Sequence, residues 1–375
     1  MNHYFLTGAS GAVGSAIVPM LLAKPGSIVR MLLRADSAEH LAERFESLCA
    51  FWRLAPDDPA RARLIPLRGD AALPGFGLAA EAYETLLADT THVIHCAASV
   101  RMNDPLDAAR RSAVGSALAI LDLARRLAEN GVLEKVEFVS TVGIAGKRQG
   151  ILPERWIDES RSFHNTYEQS KAEAEALVRK AIEDEHLPIT VHRPSMVIGD
   201  SRDGRIIHYQ IFYYICEILS GSKTFGLYPD LGDVRLDIIP VDQVAAAIVA
   251  ASGEPATAGR IFHLCSGPGT APRLDELKTI LREIFSKHGR KTPRSITLPA
   301  SWFSALPRIA GWLLPSRRRA LSTLPIYMDY LADQQGFGND AYLDWLSQRG
   351  EALPSPSAYL PVVVGRYLTR GTAKT

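Results

Sequence analysis

Tyr167 and Lys171 stand four residues apart in "TYEQSKAEAEALVRK", residues 166–180. On an α-helix positions i and i+4 share a face, so the phenol and the ammonium are neighbours. A neighbouring ammonium favours the phenolate and lowers a pKa that starts at about 10. Such a phenol can exchange a proton with a carbonyl oxygen near neutral pH. Thr166 with Gln169 fits a capping box, which starts the helix at Tyr167. A hydroxyl pair, Ser140 and Thr141, lies in "EFVSTVG" at the end of a strand. A hydroxyl there can hold a carbonyl while Tyr167 donates the proton. A Tyr-x-x-x-Lys pair alone is common. Combined with strand-end hydroxyls and a phosphate-binding loop it becomes specific.

That loop is "TGASGAVG". Gly8, Gly11 and Gly14 follow the first strand directly and open the helix "SAIVPMLLAK". Glycines permit a tight turn and close approach of backbone to a pyrophosphate, and the helix N-terminus offers free N–H groups. Ser10, Ala12 and Val13 complete the loop. The end of the second strand, "MLLRADS", selects the cofactor. An acid there binds ribose hydroxyls; a base binds a 2′-phosphate. Arg34 is the phosphate ligand on this reading, with Arg44 as helper, and the cofactor is NADPH. Asp36 is the competing ribose acid in a shifted register.

These residues need a frame that brings them together. "HYFLTG", "IVRMLLR", "RLIPLRGD", "HVIHCAA", "VEFVSTV" and "ITVHRPSMVIG" read as strands, separated mostly by Ala/Leu/Glu/Arg-rich stretches of helical length. That alternation predicts an α/β, Rossmann-type, doubly wound parallel sheet covered on both faces. Ligands in such sheets bind at the carboxyl ends of the strands. After about residue 200 the regularity breaks. "DIIPVDQVAAAIVAAS" and "GRIFHLCSGPG" still read as strand, helix and strand. The expected division is a cofactor domain over residues 1–200, completed by about 236–265. A smaller, mostly helical substrate-binding region takes 201–235 and 266–375. "HYQIFYYICEIL" can line an acyl or aryl pocket, with His208 as a substrate contact. An aromatic stripe at helical spacing also suits plain core.

Composition excludes some classes. The 42 basic against 41 acidic residues leave a net charge of +1, no electrostatic basis for nucleic-acid binding. Cys49, Cys96, Cys216 and Cys265 are scattered without metal or redox spacing, as in reduced thiols. No metal site is expected. The first strand starts almost at Met1, leaving no room for a cleavable leader, and no apolar run is long enough for a membrane span. A cytoplasmic protein is expected. Residues 301–322, with two tryptophans and a terminal arginine cluster, can be read as a membrane-interface segment. Pro299, Pro307 and Pro315 favour short packed helices instead. Either a monomer or a homodimer is compatible with the sequence.

With these motifs the chain resembles the extended short-chain dehydrogenase/reductases over roughly residues 3–270. The resemblance implies that Thr141, Tyr167 and Lys171 are the catalytic set, with Lys171 also on the nicotinamide ribose. More narrowly, "LRGDAALPGFGLAAEAYETLLADTTHVIHCAASVRMNDPL", "HRPSMVIGDSRDG" and "DIIPVDQVAAA" are similar to stretches of thioester reductase domains and fatty acyl-CoA reductases. This implies that Asp70, with Ala71 beside it, contacts the adenine. It also implies that His95, Cys96, Ala97 and Ala98 line the cofactor, and that Pro194, Ser195 and Val197 flank the nicotinamide. Ser112 stands where the superfamily often has asparagine. The implied reaction is NADPH-dependent reduction of an acyl thioester, on CoA or on a carrier protein in trans, to an aldehyde and onward to an alcohol by a second hydride. The rival readings are a ketone, hydroxyl or nucleotide-sugar enzyme of the same superfamily, and a non-catalytic NADP sensor.

Overall fold

The computed structural model describes residues 2–102, 104–224, 226–230, 232–298 and 335–370. Segment 301–322 lies outside the described residues, as do Pro299, Pro307 and Pro315.

Seven parallel strands form the central sheet. They are β1 (His3–Thr7), β2 (Ile28–Leu33), β3 (Leu64–Arg68), β4 (His92–His95), β5 (Lys135–Val139), β7 (Ile189–Pro194) and β11 (Ile261–Leu264), in the order β11-β7-β5-β4-β1-β2-β3. The strand order reverses between β1 and β4. Such a switch point opens a crevice at the carboxyl ends, where ligands enter.

Both faces are covered, as continuous apolar strands require. Side chains alternate across a strand. Tyr4 and Leu6 therefore join one core with α1 (Ala12–Ala23) and α7 (Val241–Ala251). Phe5 joins the other with α3 (Ala80–Asp89), α4 (Leu106–Glu129) and α5 (Thr166–Glu183). Helix α2 (Ala38–Trp52) follows β2.

A third core holds the C-terminal helices. Phe212, Tyr213 and Cys216 of α6 (Ile211–Leu219) pack with Leu277 and Leu281 of α8 (Leu274–Lys287) and Tyr359, Val363 and Tyr367 of α10 (Pro356–Thr369). The aromatic stripe of α6 is thus largely core. Helix α9 (Asp340–Gln348) instead joins the sheet, its Trp345 ring 5.1 Å from Phe262 of β11. Glu154 fixes that docking by accepting from the N–H groups of His263 at 2.8 Å and Ala341 at 2.6 Å.

Two local expectations change. "ITVHRPSMVIG" is not one strand. β7 ends at Pro194, and β8 (Met196–Ile198) leaves the main sheet to pair in parallel with β10 (Ile238–Pro240). Met196 N–H donates to Asp237 O at 3.3 Å at the start of that second ladder. Two more short parallel ladders join distant segments: β6 (Gly150–Leu152) with β13 (Gln335–Phe337), and β9 (Leu227–Pro229) with β12 (Ile296–Leu298). Helix α5 begins one residue early. Its N-cap is Asn165, whose side chain accepts from Glu168 N–H at 2.9 Å. Thr166 is inside the helix and donates its hydroxyl to Asp104 O at 2.7 Å, while Gln169 turns to Glu173 at 3.1 Å. Asparagine outranks threonine as a cap, which decides between the two adjacent candidates.

Candidate active site

The glycine loop is cut to fit. Gly8 has φ +80°, and Gly11 N–H donates to its carbonyl at 2.8 Å. A Cβ on Gly8 would meet the Cys96 carbonyl carbon at 2.7 Å, and one on Gly14 would meet Gly8 O at 2.2 Å. Backbone therefore packs on backbone, and Ala12 begins α1 with Gly11 as its N-cap. Free helix N–H groups face the crevice mouth.

A cavity of about 680 Å³ runs from this loop across the strand ends. Gly11, Ala12, Val13 and Gly14 line one end, and Cys96 and Ala98 follow from β4. Thr141, Tyr167, Lys171, Pro194, Ser195 and Val197, from the ends of β5 and β7, from β8 and from the start of α5, line it beyond them. The remaining sites predicted for the cofactor stand off this wall. Gly8 packs on the chain at Ala97, whose N lies 2.8 Å from where a Gly8 Cβ would stand. Asp70 closes its own turn, its carboxylate accepting from Ala72 N–H at 2.9 Å, with Ala71 buried beside it. Ser10, Arg34 and Arg44 form a separate cluster. The Arg44 guanidinium donates to Ser10 Oγ at 3.1 Å and to the Arg34 carbonyl at 2.5 Å, joining the glycine loop to the end of β2. Asp36 points its carboxylate to solvent, 3.4 Å from His40 Nδ1.

Tyr167 is half-buried and its hydroxyl adjoins Thr141. Thr141 Oγ1 accepts from Gly143 N–H at 3.1 Å, which leaves its own proton to donate elsewhere. Burial pushes the Tyr167 phenol up to about 12, partly opposed by the Thr141 hydroxyl. This differs from the expected lowering by Lys171. The Lys171 ammonium donates to Val139 O at 2.7 Å and lies 5.2 Å from the Phe138 ring centre, so it is committed to the end of β5. Its own pKa is lowered to about 8, chiefly by burial. The phenol is thus a protonated donor at neutral pH.

His95 does not line the cavity. Its ring turns into the sheet, Nδ1 2.8 Å from Thr7 Oγ1 and Nε2 3.3 Å from Ser116 Oγ. Burial lowers it to about 3, so it is neutral. Burial raises the Cys96 thiol to about 12, an inert wall rather than a nucleophile. Ser112 accepts from Ser99 N–H at 2.9 Å and holds the 99–102 turn.

Three wall residues were not singled out from the sequence, Val100, Met102 and Val142, whereas Tyr209, Gln210 and Ile211 beside His208 come from the stretch read as a pocket lining. The pattern after "HCAA" carried a signal for the first two. The Tyr209–Ile211 wall comes from the start of the aromatic stripe, whose remainder is core.

The residues present fit a nicotinamide dinucleotide. Gly11 to Gly14, at the start of α1, present a wall with little side chain, and the buried Ser140 hydroxyl on the same cavity wall has no partner among the described residues.

Comparison with known proteins agrees. Residues 6–248 match the NAD-binding family described as male sterility protein. The chain is 28% identical over 273 residues to the non-canonical nonribosomal peptide synthetase FrzA of Cladobotryum sp, covering 70% of this chain and 26% of that one. It is 26% identical to the fatty acyl-CoA reductase wat of Drosophila melanogaster, covering 66% and 53%. The chain therefore spans only about a quarter and about half of these two relatives. Among solved structures, the terminal R domain of the myxalamid PKS-NRPS pathway superposes with a TM-score of 0.82 at 26% identity, covering 100% of this chain and 92% of that one. The chain thus belongs to the male sterility protein family of NAD-binding domains, extended short-chain dehydrogenase/reductases of the thioester reductase type.

Proposed function

We propose that the chain is an NADPH-dependent reductase of acyl thioesters. The observation that carries the reading is the meeting of Thr141, Tyr167 and Lys171 around a cavity that begins at the glycine loop. Arg44, braced between Ser10 and Arg34, supports a 2′-phosphate and hence NADPH over NADH. The exposed Asp36 carboxylate, turned to His40, supports the same choice.

When bound, the cofactor supplies a hydride to the thioester carbonyl carbon. As charge grows on the oxygen, the Tyr167 hydroxyl and the free proton of Thr141 donate to it. Tyr167 gives its proton to that oxygen. Lys171, charged below about pH 8 and held by Val139 O, lines the same cavity one helical turn from Tyr167. The resulting thiohemiacetal breaks its C–S bond and re-forms C=O, releasing an aldehyde and a thiol. A second round on the aldehyde carbonyl gives the alcohol.

The acyl group enters from the side of Val100, Met102 and His208–Ile211. Segments 201–235 and 266–375 serve as the substrate region. A carrier-bound acyl group is favoured by likeness to a peptide synthetase, and acyl-CoA by likeness to a fatty acyl-CoA reductase. The test is oxidation of NADPH by purified protein with acyl-CoAs of increasing length and with acyl-carrier proteins, beside NADH and a thioester-free blank. Thioester-dependent oxidation preferring NADPH is expected. Oxidation only with ketones or sugar nucleotides would move the protein to another branch of the superfamily.

A further inference from the structure

Tyr167, Lys171 and Glu175 stand at i, i+4 and i+8 on α5, so they share one helix face. The mechanism above uses the first two. Glu175 is 4% exposed, and a carboxylate so deep requires a partner. Arg193 of β7, 1% exposed, supplies it. Its guanidinium donates to the two Glu175 oxygens, from Nη2 at 2.5 Å and from Nε at 3.1 Å. A forked pair of this kind fixes direction as well as distance.

The guanidinium is held in turn. Its Nη1 donates to Arg155 O at 2.9 Å and to His263 Nε2 at 3.2 Å. His263 accepts there because its Nδ1–H donates to Gly338 O at 2.8 Å. The Trp156 ring centre lies 5.9 Å from the guanidinium carbon. Arg193 therefore ties α5 to β7, to β11, to the turn at Arg155 and, through His263, to the chain at Gly338.

Lys171 is buried, and the groups around it differ in charge. His95 and Cys96 come from the end of β4, and burial keeps both neutral. β5 offers the Val139 carbonyl and the Phe138 ring. Tyr167 is a protonated phenol. Arg110 of α4 goes instead to Glu173, at 2.7 Å. Glu175 is the anion of this set, and it opposes the effect of burial on the Lys171 ammonium. Arg161, which precedes α5, is a further cation near Glu175, and its Nε donates to Ile144 O at 2.6 Å.

We propose that Glu175 is a positioning residue that acts through Lys171: it is the buried counter-charge that keeps this side chain an ammonium one turn from Tyr167, and Arg193 fixes where that charge stands. The inference rests on the reading of Lys171 as an active-site residue, so its test includes a readout without turnover.

The test is the pH dependence of Lys171 acetylation by acetic anhydride in the full chain, followed by mass spectrometry, since only the neutral amine reacts. Wild type should show a midpoint at about pH 8. Glu175→Gln should move it down by about one unit or more, the scale of one nearby opposite charge. The alkaline limb of thioester-dependent NADPH oxidation should move with it. Glu175→Asp, which keeps the charge, should restore both toward wild type. Glu175→Gln leaves the Arg193 charge uncompensated, so the double variant Glu175→Gln with Arg193→Met is measured beside it. The double variant buries no lone charge at this pair and should show the same downward movement. A moved midpoint without thioester turnover in any form of the protein would support the counter-charge and count against the thioester reading alone. An unmoved midpoint in folded Glu175→Gln or in the folded double variant would overturn the proposal. Failure of both to fold would overturn it too, in favour of an ion pair that only holds the helix.

Discussion

The two ends of the cavity are built from different material. The cofactor end consists of glycines, alanines and strand-end residues held by the sheet, with backbone packed on backbone at Gly8 and Gly14. The end we propose for the substrate is carried on chain outside the sheet, the 99–102 turn and the approach to α6, and includes Val100 at 60% exposure. Tyr167 and Thr141 stand where the two ends meet. The difference teaches how one fold serves many substrates. The part that handles the shared cofactor is locked into the core, and the part that reads the substrate can change without disturbing it.

Substitutions can break or sharpen this contrast. Tyr167→Phe acts at the junction and should lower turnover by about 10²–10⁴-fold, the range for a general acid, with NADPH affinity retained. Steady-state rates beside a binding titration check this. Gly14→Ala attacks the cofactor end. Its Cβ would meet Gly8 O at 2.2 Å, so the loop must shift at a cost of about 1–3 kcal/mol. NADPH affinity and thermal stability should both fall. Arg44→Ala should reduce the preference for NADPH over NADH by about tenfold, the scale of one charge-assisted hydrogen bond, and leave NADH affinity unchanged.

The sheet beneath can be probed by pH. His95 is lowered from 6.5 to about 3, so the unfolded chain binds its proton more readily. Stability from this group is present above about pH 6.5 and declines as pH falls toward 3, on the order of 1 kcal/mol per unit. His95→Gln should flatten that slope in chemical denaturation at several pH values. At the substrate end, Val100→Ser should change the KM for apolar acyl groups only a few-fold, with NADPH affinity unchanged. A change in cofactor affinity of that size would show that the two ends are not separable.

The same contrast governs what the sequence revealed. The glycine loop, the sheet and the Tyr167–Lys171 helix were legible because each obeys a local rule: glycines before a helix, apolar runs of strand length, Tyr and Lys one turn apart. Six strand candidates become sheet strands because buried parallel strands need continuous apolar runs. The break at Ser195 was not legible as such, since β8 is defined by pairing with β10, some forty residues away by the numbering. The β6–β13 and β9–β12 ladders also join distant segments, which no local pattern marks. The Tyr167 phenol was misjudged for a related reason. Helical spacing brings Lys171 near it, but the burial that raises the phenol and the Val139 carbonyl that takes the ammonium are tertiary facts.

The central claim is that this cavity reduces a thioester with Tyr167 as proton donor. The most direct measurement follows free thiol and NADPH together, in wild type and Tyr167→Phe, with an acyl-CoA or acyl-carrier substrate. The account predicts thiol release coupled to NADPH oxidation, one thiol for each hydride if reduction stops at aldehyde or for each two if it reaches alcohol, and loss of both in the variant. NADPH oxidation without thiol release, or full activity in Tyr167→Phe, would contradict it.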